Sequence, residues 1–159
     1  MKRVIIALLW LIIPAAVSAA GAPPVPVLPV ITLTSTTGTE LVLDQLGSDK
    51  KVLLVLVTKG NPAGERLLGF LEDIDDLPAD RVAIVVSGAD GAITSAIAKR
   101  FPALTAPWYA DPEEKVAKGL KLQATPVTMG IRNAAVAWKV LGLHDQEKMA
   151  KTLWGWIKQ

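Results

Sequence analysis

Residues 51–58, KVLLVLVT, run from Val52 to Val57 without a polar interruption, and this stretch limits the folds open to the chain more than any other feature. A strand with one wet face alternates apolar and polar residues. One that does not alternate is covered on both faces, as in the middle of an α/β sheet. RVAIVVS, residues 81–87, repeats the pattern. Between them lies GNPAGERLLGFLEDIDD, where Leu67, Leu71 and Ile74 stand at i, i+4 and i+7 and predict an amphipathic helix. Strand, helix and strand in this spacing describe a parallel pair joined by a helical crossover.

The flanking segments extend the pattern. ITLTSTTGTELVL, residues 31–43, alternates on both sides of Thr37-Gly38 and predicts an antiparallel hairpin turning at the glycine. After Ser87 a helix carries Ile93, Ala96, Ile97 and Phe101. Trp108-Tyr109-Ala110 reads as a short extended piece. A helix is expected from Asp111, with Asp111 as cap, Pro112 in the first helical position and Glu114 completing a capping box. TPVTMGI and AAVAWKV form two further strands joined across Arg132-Asn133. A last helix from about Asp145 turns Met149, Leu153 and Trp156 or Ile157 inward. Together these predict one α/β domain, a mixed central sheet in a three-layer α/β/α sandwich opened by an N-terminal hairpin.

The N-terminus is read separately. Lys2-Arg3, the apolar stretch Val4 to Val17 and the small residues around Ser18-Ala19-Ala20 predict a signal peptide over residues 1–20. The rival is an uncleaved membrane anchor, although the uniformly apolar part before Pro14 is about half of the ~20 residues that a spanning helix needs. No cysteine follows, so lipid attachment there is excluded. Residues 21–30, GAPPVPVLPV, favour extended polyproline II and read as a stiff linker before a domain at residues 31–159. Export to the periplasm or outside the cell is the expectation.

Charge and composition narrow the chemistry. The 17 Lys and Arg against 15 Asp and Glu become an even balance once Lys2 and Arg3 leave with the signal. Nothing in that balance points to nucleic acid, or to a membrane beyond the N-terminal segment. With no cysteine, thiolate catalysis, disulfide exchange and iron–sulfur clusters are impossible. With one histidine, His144, a zinc or copper site is not expected, and no cofactor is.

From residue 31 onward the order of segments resembles a thioredoxin-like fold, and specifically the exported TlpA-like thiol–disulfide oxidoreductases, or redoxins. ITLTSTTGTELVLDQL resembles the opening hairpin, KVLLVLVTKGNPAGER the central strand entering the reactive loop, and PWYADPEEKVAKGLKLQATPVTMGI the stretch ending in the cis-proline loop, here Thr125-Pro126-Val127. The resemblance implies a Trp-Cys-x-x-Cys motif at the strand-to-helix turn. Matched in order, Lys59 stands at the tryptophan, Gly60 at the attacking cysteine, Asn61-Pro62 between, and Ala63 at the resolving cysteine. Both sulfurs are missing, so no residue is assigned as catalytic.

Three functions follow as expectations. The first is a redox-inactive module that binds another envelope protein or a peptide through Lys59, Gly60, Asn61, Pro62, Ala63, Gly64, Thr125 and Pro126, with Trp108 lining a groove beside them; core or edge packing is the plain alternative for Trp108, as for the other tryptophans. In the resembled family the backbone before the cis-proline pairs with a partner's extended segment, a part Thr125 would take, with fold maintenance the plain alternative. The second is a redoxin- or peroxiredoxin-like enzyme using non-cysteine chemistry or a partner's thiols. The third is a small-anion site made by Lys59 and free N–H groups from Ala63 to Glu65. Gly60 and Gly64 do not form a P-loop, because Glu65 stands where its lysine should follow. As for the plainer features, Asn61 and Pro62 start a helix well, the acidic run Glu72 to Asp80 matches no calcium loop, and His144-Asp145 reads as a surface turn. The serines have no partner for a hydrolase triad.

Overall fold

The computed structural model describes residues 26–158; the expected signal peptide and residues 21–25 of the linker lie outside them. In chain order the elements are β1 (Thr32–Ser35), β2 (Glu40–Val42), β3 (Val52–Thr58), α1 (Pro62–Glu72), β4 (Val82–Ser87), α2 (Gly91–Ala98), β5 (Trp108–Asp111), α3 (Lys115–Gly119), β6 (Val127–Arg132), β7 (Ala135–Leu141) and α4 (Gln146–Ile157). The sheet runs β2-β1-β5-β4-β3-β6-β7. The two apolar runs are its neighbouring parallel strands at the centre, in register from Leu53↔Val82 to Thr58↔Ser87.

Because the chain steps in one direction from β3 through β4 to β5, its helical crossovers lay α1 and α2 on one face. There Leu67, Leu68 and Leu71 of α1 meet Leu53, Val55, Val57, Ile84 and Val86, with Met149, Leu153 and Ile157 of α4 alongside. Each fully buried leucine contributes about 1.5–3 kcal/mol relative to exposure. The opposite face is closed more thinly, by Leu43 of the 3-10 turn Leu43–Gln45, Val116 of the five-residue α3, and Leu28. The chain then returns across the sheet, and β6 pairs antiparallel with β3, with β7 as the outer strand. Gly130 leaves room on β6 for the Trp138 indole, which meets Trp156 edge-on at 5.9 Å, while Trp156 Nε1–H donates to Val52 O at 3.2 Å. Among the described residues no helix is long and apolar enough to cross a membrane.

Three expectations change. Asp111 does not open a helix. It ends β5 opposite Ser87, 1% exposed, and α3 begins at Lys115. Its carboxylate nevertheless accepts from Lys115 N–H and Val116 N–H at 2.8 and 3.0 Å, so the cap acts across a turn instead of from the capping position. The last hairpin turns one residue later than read, at Asn133-Ala134 (φ 51° and 56°), the paired positive angles of a tight two-residue turn. An alanine holds this conformation because Ala134 N–H donates to Leu46 O and Ala134 O accepts from Leu28 N–H. Finally, the linker does not stand clear of the domain over its described part. Val27 bridges Ala135, Val136 N–H donates to Pro26 O, Leu28 is buried and Pro29 packs on Gly119. Leu28 is drawn in by the apolar gap on the thinly covered face.

Candidate functional site

At the end of β3 the chain leaves the sheet in a sharp turn. Lys59 N–H still donates to Ser87 O on β4, Gly60 takes a φ of +73°, and Asn61 N–H closes the turn on Thr58 O at 3.1 Å. Asn61 then caps α1: its Oδ1 accepts from Ala63 N–H at 3.0 Å, and Pro62 occupies the first helical position, where no N–H is needed. Gly64 is buried against β3, and a Cβ there would stand 3.2 Å from the Val57 Cβ.

The second loop arrives from β6. The Thr125–Pro126 bond is cis, and Pro126 is buried beside the end of β3. Three contacts join the two loops. Thr58 and Thr125 share a hydroxyl–hydroxyl bond of 2.6 Å, Asn61 Nδ2–H donates to Thr125 O at 3.0 Å, and a longer contact runs from Asn61 Nδ2 to Thr125 Oγ1 at 3.5 Å. Gly142 N–H donates to Pro126 O at 2.8 Å, so the segment after β7 closes against the same place. Lys59, Gly60 and Pro62 are exposed beside this junction, while Thr58, Asn61, Ala63 and Thr125 are half-buried. The structure thus brings Lys59 through Gly64 together with Thr125 and Pro126. Thr58 and Gly142 belong to the same junction and stand outside the residues that the sequence assigns to the site.

Three site expectations need correction. Trp108 is not part of the surface. It is 4% exposed, opposite Ile84 in mid-sheet, stacked on Phe101 at 6.3 Å. The helix cap falls one residue after Gly60, the position matched to the attacking cysteine. A thiol sharpened by a helix start belongs at the cap, and the side chain at the cap, facing the cis-proline loop, is that of Asn61. Gly64, three residues on, is buried in the first turn of α1. Gly60 precedes the cap on a left-handed backbone. The anion reading loses two of its three N–H donors, since Ala63 N–H is held by Asn61 Oδ1 and Glu65 N–H by Asn61 O, which leaves Gly64 N–H and the exposed Lys59.

Around the site, Glu65 forms a two-pronged pair with Arg100, both bonds 2.8 Å, and the hydrogen bond from that guanidinium holds the Glu65 carboxyl below its ordinary range. The Asp145 carboxylate caps α4 by accepting from Lys148 N–H, so it is directed into the helix and not toward His144. Among the described residues no group of three or more His, Cys, Asp or Glu side chains is placed to hold a metal ion.

No family model matches the sequence, and no curated protein matches it. Solved structures do. A secreted Mycobacterium tuberculosis disulfide oxidoreductase homologous to E. coli DsbE aligns with a TM-score of 0.65 at 13% identity, over 79% of this chain and 96% of that one. A thio-disulfide isomerase from Thermus thermophilus aligns with a TM-score of 0.65 at 16% identity, over 83% and 95%. Reduced Prx3 from Vibrio vulnificus, in complex with hydrogen peroxide, gives a TM-score of 0.65 at 23% identity, over 83% and 99%. At such identities the likeness is one of fold. The chain has the thioredoxin-like fold of these thiol–disulfide oxidoreductases, carried by a sequence that contains no cysteine.

Proposed function

We propose that this chain is an exported, redox-inactive thioredoxin-like module that binds a protein or peptide at the junction of the Lys59–Gly64 loop with Thr125-Pro126. The observation that carries this reading is the bonding of Thr58 and Asn61 to Thr125, which holds two loops distant in sequence as one surface without any reactive sulfur. An extended segment of a partner would add to the Thr125 backbone as a strand, displacing the Asn61 amide from Thr125 O or sharing that oxygen with it. Export is supported by the basic start and apolar stretch at the N-terminus and by likeness to a protein described as secreted.

The test is affinity capture from the envelope fraction, followed by backbone NMR of the complex. Shifts concentrated at Lys59, Gly60, Asn61 and Thr125 are expected. Binding partners that leave these amides unmoved would refute the surface. Assays of disulfide reduction and peroxide consumption are expected to show no rate above buffer; a measurable rate in the isolated protein would make it an enzyme instead.

A further inference from the structure

Opposite the junction, where β3 and β4 begin and β6 ends, lies a polar cleft of about 270 Å³. Lys50, Lys51, Arg81 and Arg132 line it, coming from three separate stretches of the chain, with Asp49 as the one acidic group among the lining residues. Asp80 pairs with Lys50 from outside, which still leaves four cations against two carboxylates. In a domain whose charges otherwise balance, this is a local concentration of positive potential.

The walls are fixed. Asn133 N–H donates to Gly47 O at 2.7 Å and Ala134 N–H to Leu46 O at 3.1 Å, clamping the turn before β3 onto the last hairpin. Gly47 has a φ of +77°, and a Cβ there would meet Ile131 O at 3.0 Å, so the close approach requires glycine. Arg81 Nη1–H donates to Ile157 O at the end of α4, and Lys51 Nζ lies over the Trp156 ring at 4.8 Å. Both residues line the cleft with their charged ends held against α4, while Lys50, paired with Asp80, and Arg132 reach it from exposed positions.

We propose that this cleft binds a phosphate group. Planar guanidinium forks match phosphate oxygens in pairs, and ammonium groups add point charge. A water takes up about 30 Å³ of liquid, so the cleft has room for a phosphate together with the group it is esterified to. Free phosphate and an anionic lipid headgroup share this chemistry.

The experiment separates them. The purified protein is titrated with inorganic phosphate while the amides of Ser48 and Asn133 are followed by NMR. In parallel it is sedimented with phosphatidylglycerol or phosphatidylcholine vesicles. Saturable shifts with phosphate identify a free anion, and sedimentation with phosphatidylglycerol alone identifies a headgroup. In either case Lys50→Gln with Arg132→Gln is expected to weaken binding roughly tenfold or more, with the β3 amides unchanged as a check on folding. Absence of both signals, or a double variant that binds as well as the parent, would overturn the proposal.

Discussion

The β3–α1 turn and the β4–α2 turn are built alike and used differently. Both leave a buried parallel strand through a left-handed glycine, Gly60 or Gly88, and both start a helix with a side-chain cap, Asn61 or Asp90. The Asp90 carboxylate does one local job, accepting from Ile93 N–H at 2.9 Å. Asn61 does the same for Ala63 and also donates across to Thr125. A cap needs only an acceptor; a bridge to a carbonyl needs a donor as well, and an amide supplies both. The difference marks which of two similar caps is itself bonded to a distant loop: Asn61 reaches Thr125, whereas the β4–α2 turn meets the end of β5 through its backbone, Gly88 N–H donating to Asp111 O at 2.8 Å.

The largest expected contrast lies in the helix glycines. Gly64→Val drives methyl groups into Val57 and is expected to destabilise the fold by about 1–3 kcal/mol. Gly91→Ala, whose Cβ meets nothing within 4 Å, should be neutral or stabilising by up to about 1 kcal/mol. Urea unfolding of the two variants checks the pair, and equal effects would erase the distinction.

Next come the caps. Asp90→Ala should lose about 1 kcal/mol, the ordinary value of a cap. Asn61→Ala should lose about 1 kcal/mol more, because the bond to Thr125 goes too. Asn61→Asp keeps the acceptor for Ala63 but sets an oxygen against Thr125 O, so it should destabilise by about 1 kcal/mol, whereas Asp90→Asn should change little. Matching losses at the two positions, read from the same unfolding curves, would show the bridge to be idle.

The smallest effect concerns the salt bridge from α1 to the segment after α2. Because the Glu65 carboxyl is held below its ordinary range by Arg100, the stabilisation is present above the ordinary carboxylate range and lost as pH falls through the folded value. The pair is exposed, so the change in stability is small. An NMR titration of Glu65 should give a depressed midpoint that returns upward in Arg100→Gln.

The centre of the fold was legible because burial on both faces leaves an unbroken apolar run, seen in β3 and β4, and because Asn61-Pro62 spells a helix start through local chemistry. What failed depended on contacts distant in sequence. Asp111-Pro112-Glu113-Glu114 has the letters of a capping box, yet pairing with Ser87 keeps Asp111 in the sheet. For Trp108 the sequence leaves core packing and a groove lining both open, and the register against Ile84 decides for the core. Gly60 and Asn61 are both turn residues, so only the cap geometry fixes which one faces the cis-proline loop. The basic cleft was invisible to a summed charge, since its cations come from separated stretches of the chain.

The most direct measurement introduces one thiol at a time into this cysteine-free chain and titrates it. Asn61→Cys places sulfur at the start of α1 against Thr125, and its thiol is expected to ionise about one pH unit or more below the ordinary value of roughly 8.5. Gly60→Cys, one residue before the cap, should titrate near that ordinary value. Equal midpoints, or the lower one at residue 60, would contradict a turn that still has the geometry to activate a thiol.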